Sequence, residues 1–274
     1  MNALTHLYAL VLRSLDVLLG WLLWGPRDLA LLLFAAGTAL LTVLARRAFT
    51  NQDLLRRCAD DLPKLNQFLR EAQQTPDKPL ERQRFRSTIA IIKGMQFAAD
   101  LKVLAVVIVP VAALACWATE RFDYFPPRVG DEITLRAVFP ISSVDHVTHL
   151  VPIHGIELRS PAIQRIQSNP QSPSSSFVEW RLHFSSEVGE LPLTIRHRGE
   201  TAVERVAIGR STYLPPQQDH PNEWLQHTEI DLVRYRPLGI PVKTEAIGLP
   251  PWMIGYMLLT LLLVPLFKRV WRVF

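Results

Sequence analysis

Three charge-free apolar stretches divide the chain, and more polar segments separate them. They cover residues 29–45, 103–118 and 252–267. Each stretch approaches the roughly 20 residues that an α-helix needs to cross the hydrocarbon core of a bilayer. Arg or Lys residues stand beside each stretch, as is typical of transmembrane helices. The pattern therefore predicts transmembrane helices at 27–47, 98–120 and 250–268.

The N-terminal segment, 1–26, is apolar but interrupted by His6, Arg13 and Asp16. It has no basic start followed by a cleavage site of small residues, so we do not expect a cleaved signal peptide. An apolar segment interrupted by a few polar residues fits a helix that lies on a membrane surface. We expect an amphipathic helix on the external leaflet; a fourth transmembrane helix over 3–24 is the alternative.

The polar segment 48–97 carries apolar residues at heptad spacing. In its first half they are Leu55, Cys58, Leu62, Leu65, Leu69 and Ala72, and after a turn at 73–79 they are Phe85, Ile89, Ile92 and Met95. Two such stripes joined by a short turn predict an antiparallel helical hairpin in which each helix buries the other's stripe. Pro63 should bend the first helix or start a new one, capped by Asp60 or Asp61.

The segment 126–247 changes to alternation of apolar and polar residues, the pattern of half-buried strands. It predicts six to eight short strands in about 120 residues, which is the size of an immunoglobulin-like sandwich. Two stretches rich in Pro, Ser and Gln, 167–176 and 213–224, are expected to be loops. The fold class is thus a helical membrane protein with an inserted all-β domain.

The placement of charge orients the predicted helices. The chain has 274 residues and a net charge of +5. Twelve Lys and Arg lie in 46–102, and three lie in the last seven residues. Because basic segments stay in the cytoplasm, the N-terminus and 126–247 should be external and the tail 269–274 cytoplasmic. We expect a multi-pass protein of the prokaryotic cytoplasmic (inner) membrane.

This order of elements resembles the YidC/Oxa/Alb superfamily of membrane-protein insertases. It is most similar to the three-span archaeal YidC-like proteins and to the third subunit of the endoplasmic reticulum membrane protein complex. The matching segments are "RRAFTNQDLLRR", the hairpin, "AIIKGMQFAADLKVLAVVIVPVAAL" and "GLPPWMIGYMLLTLLLVPLFKRVWRVF". Two features depart from the family pattern: the hairpin end offers only Met95, and the external β insert is large.

The resemblance implies a hydrophilic groove that is open to the cytoplasm and to lipid and that guides nascent membrane proteins into the bilayer. Polar residues at helical spacing in the predicted spans are the candidates for its lining. They are Thr38, Thr42, Arg46, Gln96, Lys102, Tyr256 and Thr260. The alternative for the threonines is a hydrogen bond to a carbonyl of their own helix. Arg46 and Arg47 could also serve only as headgroup anchors.

Seven basic residues on the hairpin are the candidates for contact with the ribosome or the nascent chain. They are Arg56, Arg57, Lys64, Arg70, Arg82, Arg84 and Arg86. Their charge suits RNA or anionic lipid, and we expect no DNA partner. The external domain is expected to bind a partner protein that the sequence does not identify.

Catalytic and metal chemistry are not expected. Seven of the eight histidines lie in 126–247, but they have neither an HExxH spacing nor Cys partners. No nucleotide-binding motif is present, so we expect no cofactor and no enzymatic activity. Two other functions stay open: a membrane-anchored β-sandwich that acts as a receptor, and a polar-groove protein that moves lipid or ions.

Overall fold

The structure is a computed structural model that describes residues 3–74, 79–170, 172–185, 189–239 and 248–273. The chain divides into two compact units. The helical unit comprises Met1–Leu22, Asp28–Trp117 and Thr244–Phe274, and the β unit comprises Leu23–Arg27 and Ala118–Lys243. A helical part and a separate antiparallel β part are therefore confirmed. The predicted turn at 73–79 and the end of the predicted β domain lie partly outside the described residues.

Five α-helices account for most of the helical unit. They are α1 (Ala3–Leu19), α2 (Arg27–Phe49), α3 (Gln52–Gln74), α4 (Pro79–Phe122) and α5 (Pro251–Val270). In the described part of the chain, four helical segments are long and apolar enough to cross a membrane. Three correspond to the predicted spans. The fourth is Thr5–Trp24, which consists of most of α1 and the short 3₁₀ helix that follows it. By length and composition alone, Thr5–Trp24 therefore also qualifies as a span, which is the alternative that the sequence left open.

A hydrogen bond and ring packing fix α1 and α2 against α4. The indole Nε1 of Trp117 donates to the Asp16 carboxylate at 2.8 Å, and Trp117 is fully buried. Its ring also lies 5.9 Å from that of Phe34. Asp16, which interrupts the apolar pattern of the N-terminal segment, thus has a structural role as an acceptor.

The helical hairpin forms with the predicted seam. All six heptad residues of α3, from Leu55 to Ala72, are buried or half-buried, and Phe68 stacks on Phe85 with 6.0 Å between ring centroids. In α4 the seam includes Ile89 and Ile92. Met95 was predicted on the seam, but it is 44% exposed. Gln96, four residues after Ile92, is half-buried and occupies that seam position instead.

Two helices continue through positions where the sequence analysis allowed or drew a boundary. α3 runs without interruption through Pro63, so no new helix begins there and neither Asp60 nor Asp61 caps one. A proline inside a helix removes one hydrogen bond, and burial of the flanking seam residues offsets that loss. α4 is one 44-residue helix, so the predicted hairpin and second span meet with no break at residue 97. Ala45, Val103 and Val107 form a small apolar cluster beyond the hairpin.

The β unit contains more strands than the six to eight predicted. Its ten described strands are β1 (Glu132–Pro140), β2 (Val147–Leu150), β3 (Ile156–Leu158), β4 (Ile163–Arg165), β5 (Gln167–Ser168), β6 (Ser175–Phe184), β7 (Gly189–His197), β8 (Glu200–Ile208), β9 (Gln217–Asn222) and β10 (Leu225–Ile230). One sheet has the order β3-β6-β1-β10-β9, with β5 also paired to β6, and the other has the order β4-β2-β7-β8. β9 lies where a loop was predicted, at 213–224.

Inward-facing side chains of the two sheets form one apolar core. In the larger sheet Leu135 lies opposite Trp180 on one side and Ile230 on the other. Ile195 of the smaller sheet belongs to the same buried cluster. The alternation read from the sequence follows from this arrangement, because successive residues of a strand point to opposite faces.

The turn between β7 and β8 shows why that hairpin forms where it does. Its two central residues, Arg198 and Gly199, have φ values of 51° and 85°. Two consecutive positive φ angles are typical of the turn whose twist matches that of antiparallel strands. Glycine adopts such angles without steric cost, so Gly199 favours this register.

Candidate functional site

Thr38 lies in the middle of the buried face of α2. It is only 4% exposed, and its hydroxyl donates to the carbonyl of Ala35 at 3.0 Å or of Phe34 at 3.2 Å. The Tyr256 hydroxyl of α5 donates to Thr38 Oγ1 at 3.1 Å. Two residues predicted to line one groove are therefore in direct contact, and they link α2 to α5.

The other two threonines of the predicted groove also bond within their own helices. Thr42 Oγ1 donates to the Thr38 carbonyl at 2.9 Å. Thr260 Oγ1 donates to the Tyr256 carbonyl at 2.9 Å or to the Met257 carbonyl at 3.0 Å. This is the alternative that the sequence left open for the threonines. With their protons engaged, these hydroxyls can still accept a hydrogen bond, but they have none to donate.

Aromatic rings surround the Thr38–Tyr256 contact. The ring of Phe34 lies 5.6 Å from that of Tyr256, and the ring of Trp252 lies 6.4 Å from it. Trp252 is 1% exposed. The polar contact is thus set among large apolar side chains, which raises the free-energy cost of leaving either hydroxyl unpaired.

Arg46 continues the same side of α2 two turns beyond Thr38 and ends in an ion pair. Its guanidinium binds the carboxylate of Asp100 on α4. The Arg46 side chain is 12% exposed and that of Asp100 is 54% exposed, so the pair lies at the boundary between packed helices and solvent. Lys268 of α5 is close enough for its charge to interact with both. Arg46, Asp100 and Lys268 are called the charged cluster below.

Asp100 was missing from the predicted groove residues. It is the only acid between Glu81 and Glu120, and it stands at the edge of the apolar stretch that begins at residue 103. A lone acid at such an edge is a detectable signal, because an ionised group beside hydrocarbon normally has a partner. Its partner is 54 residues away in sequence, so the spacing could not identify the pair.

Gln96 and Lys102 differ in their placement on α4. Gln96 is half-buried on the hairpin seam, one helical turn before Asp100. Lys102 is exposed, and at two residues from Asp100 it lies on nearly the opposite side of the helix. The structure therefore brings Gln96 towards the charged cluster and leaves Lys102 away from it.

Six of the seven predicted hairpin cations are exposed and therefore accessible to a partner. They are Arg56, Arg57, Lys64, Arg70, Arg84 and Arg86. Arg82 is half-buried, and its Nε donates to the carbonyl of Ala72 at 2.8 Å. Arg82 thus ties the start of α4 to the end of α3 and has a structural contact that the sequence did not indicate.

The β unit holds a polar cluster that the sequence did not indicate. Glu204 of β8 is 3% exposed and accepts a hydrogen bond from the Thr228 hydroxyl of β10. His220 Nε2 lies 3.0 Å from the same hydroxyl and 3.9 Å from the carboxylate. Burial raises the pKa of Glu204 and lowers the pKa of His220. The hydrogen bond between Glu204 and Thr228 joins the two sheets. Burial disfavours the charged forms of Glu204 and His220 in this cluster.

A second buried histidine packs among rings. His197 is 3% exposed, stacks on Trp224 at 5.9 Å and lies 5.6 Å from Phe139. Burial lowers its pKa. Among the described residues, no group of three or more His, Cys, Asp or Glu side chains is placed to hold a metal ion.

Comparison with known proteins gives no match to a family model, to a curated protein or to a solved structure. The resemblance to the insertase superfamily therefore rests on the sequence features alone.

Proposed function

We propose that the chain is a membrane-protein insertase that helps short-tailed membrane proteins enter the bilayer from the cytoplasmic side. The observation that carries the proposal is Arg46, a cation 12% exposed at the end of an apolar helix and held by Asp100. A nearly buried charge beside an apolar helix is costly even when it is paired, so we take Arg46 as the candidate functional residue. In this proposal the basic side is cytoplasmic, the N-terminus is external and the membrane is a prokaryotic inner membrane.

The charged cluster and the hydroxyls would act in succession on a polar segment that crosses the membrane. Each unsatisfied polar group in hydrocarbon costs several kcal/mol, so partial pairing lowers the barrier. Two cations and one carboxylate would attract an acidic or polar flank at the mouth. Half-buried Thr42, Tyr256 and Thr260 would then offer acceptor oxygens to backbone N–H groups further along. The nascent helix would leave sideways, driven by burial of its apolar side chains in lipid.

The exposed cations of the hairpin would bind the ribosome or the nascent chain. What supports this part of the proposal is that the buried seam leaves these cations on the exposed faces of α3 and α4. Phosphate backbones attract such clusters without reading sequence. The β unit, which we propose to be an immunoglobulin-like sandwich, would bind an external protein or shield the exit side.

The test compares two adjacent arginines in proteoliposomes that contain the purified chain and a single-span substrate with a short polar tail. Arg46→Gln removes the paired, nearly buried cation, whereas Arg47→Gln removes an exposed one. We expect insertion to fall severalfold in the first variant and to stay within error in the second. Equal effects, or no effect in either variant, would remove the basis for this mechanism.

The second candidate is a membrane-anchored β domain, and its support is the independent core of the β unit. That function predicts the reverse ranking. Deletion of 127–247 would abolish the activity of an anchor, while an insertase would lose less from it than from Arg46→Gln. Transport of lipid or ions by the purified chain would support the third function, a polar groove for solutes other than peptides.

A further inference from the structure

A cavity of about 680 Å³ lies within the β unit, at the segment that joins the first two apolar helices. Its lining comes from residues 23–27, 125, 126, 128 and 209–211. Three arginines are among them: Arg27, Arg128 and Arg210. None of the three arginines was among the predicted site residues, and none belongs to the charged cluster.

Arg27 is the most buried of the three arginines, at 8% exposed. Its Nη1 donates to the Arg121 carbonyl at 3.0 Å, and its Nη2 donates to the Ser211 carbonyl at 3.1 Å. These carbonyls hold the guanidinium in place, but they do not neutralise its charge. Within the part of the chain that the structure describes, no carboxylate pairs with it. A guanidinium has five N–H donors, so donors remain for a ligand.

The other two arginines add to this positive field. Arg128 is exposed, and its charge is close enough to repel that of Arg27. Arg210 pairs with Glu190 at 2.8 Å. Two positive charges therefore share the cavity without an acidic partner among the described residues. Bound anionic oxygens would relieve the repulsion, and arginine is well suited to them because its N–H groups match the geometry of phosphate.

The apolar part of the lining indicates where the anion comes from. Leu23, Trp24, Phe125 and Pro126 form it, and Trp24 is 84% exposed. In the sequence, Trp24 ends one segment that is long and apolar enough to cross a membrane, and Arg27 begins the next. An exposed tryptophan at the end of such a segment is typical of the headgroup layer. The cavity thus combines cations whose geometry suits phosphate with an apolar wall that suits a glycerol backbone.

We propose that this cavity binds a phosphate group, and specifically the phosphodiester of an anionic phospholipid headgroup. Arg27 and Arg128 provide the charge, Arg210 provides a further donor, and Trp24 faces the start of the acyl chains. A free phosphate ion offers the same chemistry, so the experiment must separate the two sources. The proposal stands independently of the insertase function.

The experiment measures lipid retention by the full-length chain in detergent, with native mass spectrometry as the readout. The probes are phosphatidylglycerol, phosphatidylcholine with the same acyl chains, and inorganic phosphate as a competitor. Arg128→Gln is the main variant because Arg128 is exposed and its loss spares the fold. Arg181→Gln, an exposed arginine of β6 outside the cavity, is the matched control. Arg27→Gln is added, with circular dichroism to verify folding.

We expect phosphatidylglycerol to bind better than phosphatidylcholine and Arg128→Gln to weaken its binding at least about fivefold, as loss of a charge-assisted hydrogen bond does. Arg181→Gln should match the unmodified chain. Failure of millimolar phosphate to compete would identify the lipid as the source, and full competition would identify a phosphate site filled from solution. Equal binding of the two lipids, or equal binding by Arg128→Gln and Arg181→Gln, would overturn the proposal.

Discussion

The hydrogen bond between Tyr256 and Thr38 tests whether the centre of the helical unit is dry or hydrated. The two oxygens are 3.1 Å apart, and Thr38 is 4% exposed. Tyr256→Phe removes the donor, and Thr38→Val removes the acceptor while keeping the volume of the side chain. Neither change creates a large cavity, so the free energy of unfolding should report mainly on the hydrogen bond.

The magnitude follows from the partners that remain. Tyr256→Phe leaves the Thr38 hydroxyl bonded to its own helix, so it should cost about 0.5–1 kcal/mol. Thr38→Val leaves the Tyr256 hydroxyl without its acceptor, and the cost should be about 1–1.5 kcal/mol. In the double variant the two losses overlap, and the coupling should be about 0.6 kcal/mol, the average for hydrogen bonds between membrane helices. Thr42→Val is the matched control, because its hydroxyl bonds only within α2.

The assay is equilibrium unfolding of the purified chain in mixed micelles, followed by helical circular dichroism across an SDS titration. The four chains of the double-mutant cycle give the coupling directly. A coupling below about 0.2 kcal/mol would mean that each hydroxyl finds another partner when the first is removed, and a hydrated site supplies one. That result would refute a contact shielded by the surrounding rings and favour a water-filled groove in its place.

Three further predictions concern the hairpin, the β unit and the charged cluster. Leu55 is 3% exposed, so Leu55→Ala should destabilise the hairpin by about 2–4 kcal/mol, measured by hydrogen exchange of α3. Leu54 is 45% exposed, so Leu54→Ala should change the stability of the hairpin by less than about 0.5 kcal/mol. Burial lowers the pKa of His197 and His220, so just below about pH 6.5 the unfolded chain binds more protons than the folded chain. Thermal stability should therefore fall as pH drops from there, although the raised pKa of Glu204 acts in the opposite direction. His220→Gln should flatten that fall. Asp100→Asn should lower the unfolding midpoint in detergent, because this change leaves the nearly buried Arg46 without its carboxylate. Asp61 is an exposed acid of the hairpin, and Asp61→Asn should lower the midpoint less. Equal midpoints of the two variants would contradict the ion pair.

Patterns within one element were enough to locate most of the secondary structure. The heptad of α3 predicted its buried residues because a helix places every third and fourth residue on one face. The alternation in β6 and β7 predicted their inward residues for the equivalent reason in a strand. A continuous apolar stretch likewise marked α2 and α5. Each of these predictions depends only on residues close together in the sequence.

The short strands did not carry such a pattern. β2, β4 and β5 have four, three and two residues, too few to show alternation. β9 contains Pro and polar residues, and it forms because β10 provides its hydrogen-bond partners. Strand formation there is decided by a neighbouring strand and not by the intrinsic preference of the segment.

The sequence by itself determined the apolar helices, the hairpin seam and the all-β segment, because each follows from the periodic burial of one element. Only the tertiary structure decided which polar groups meet. It pairs Arg46 with Asp100, joins Tyr256 to Thr38 and gathers Arg27 and Arg128 at one cavity. These partners are separated by 54 to 218 residues, and no local pattern encodes a contact that packing alone brings about.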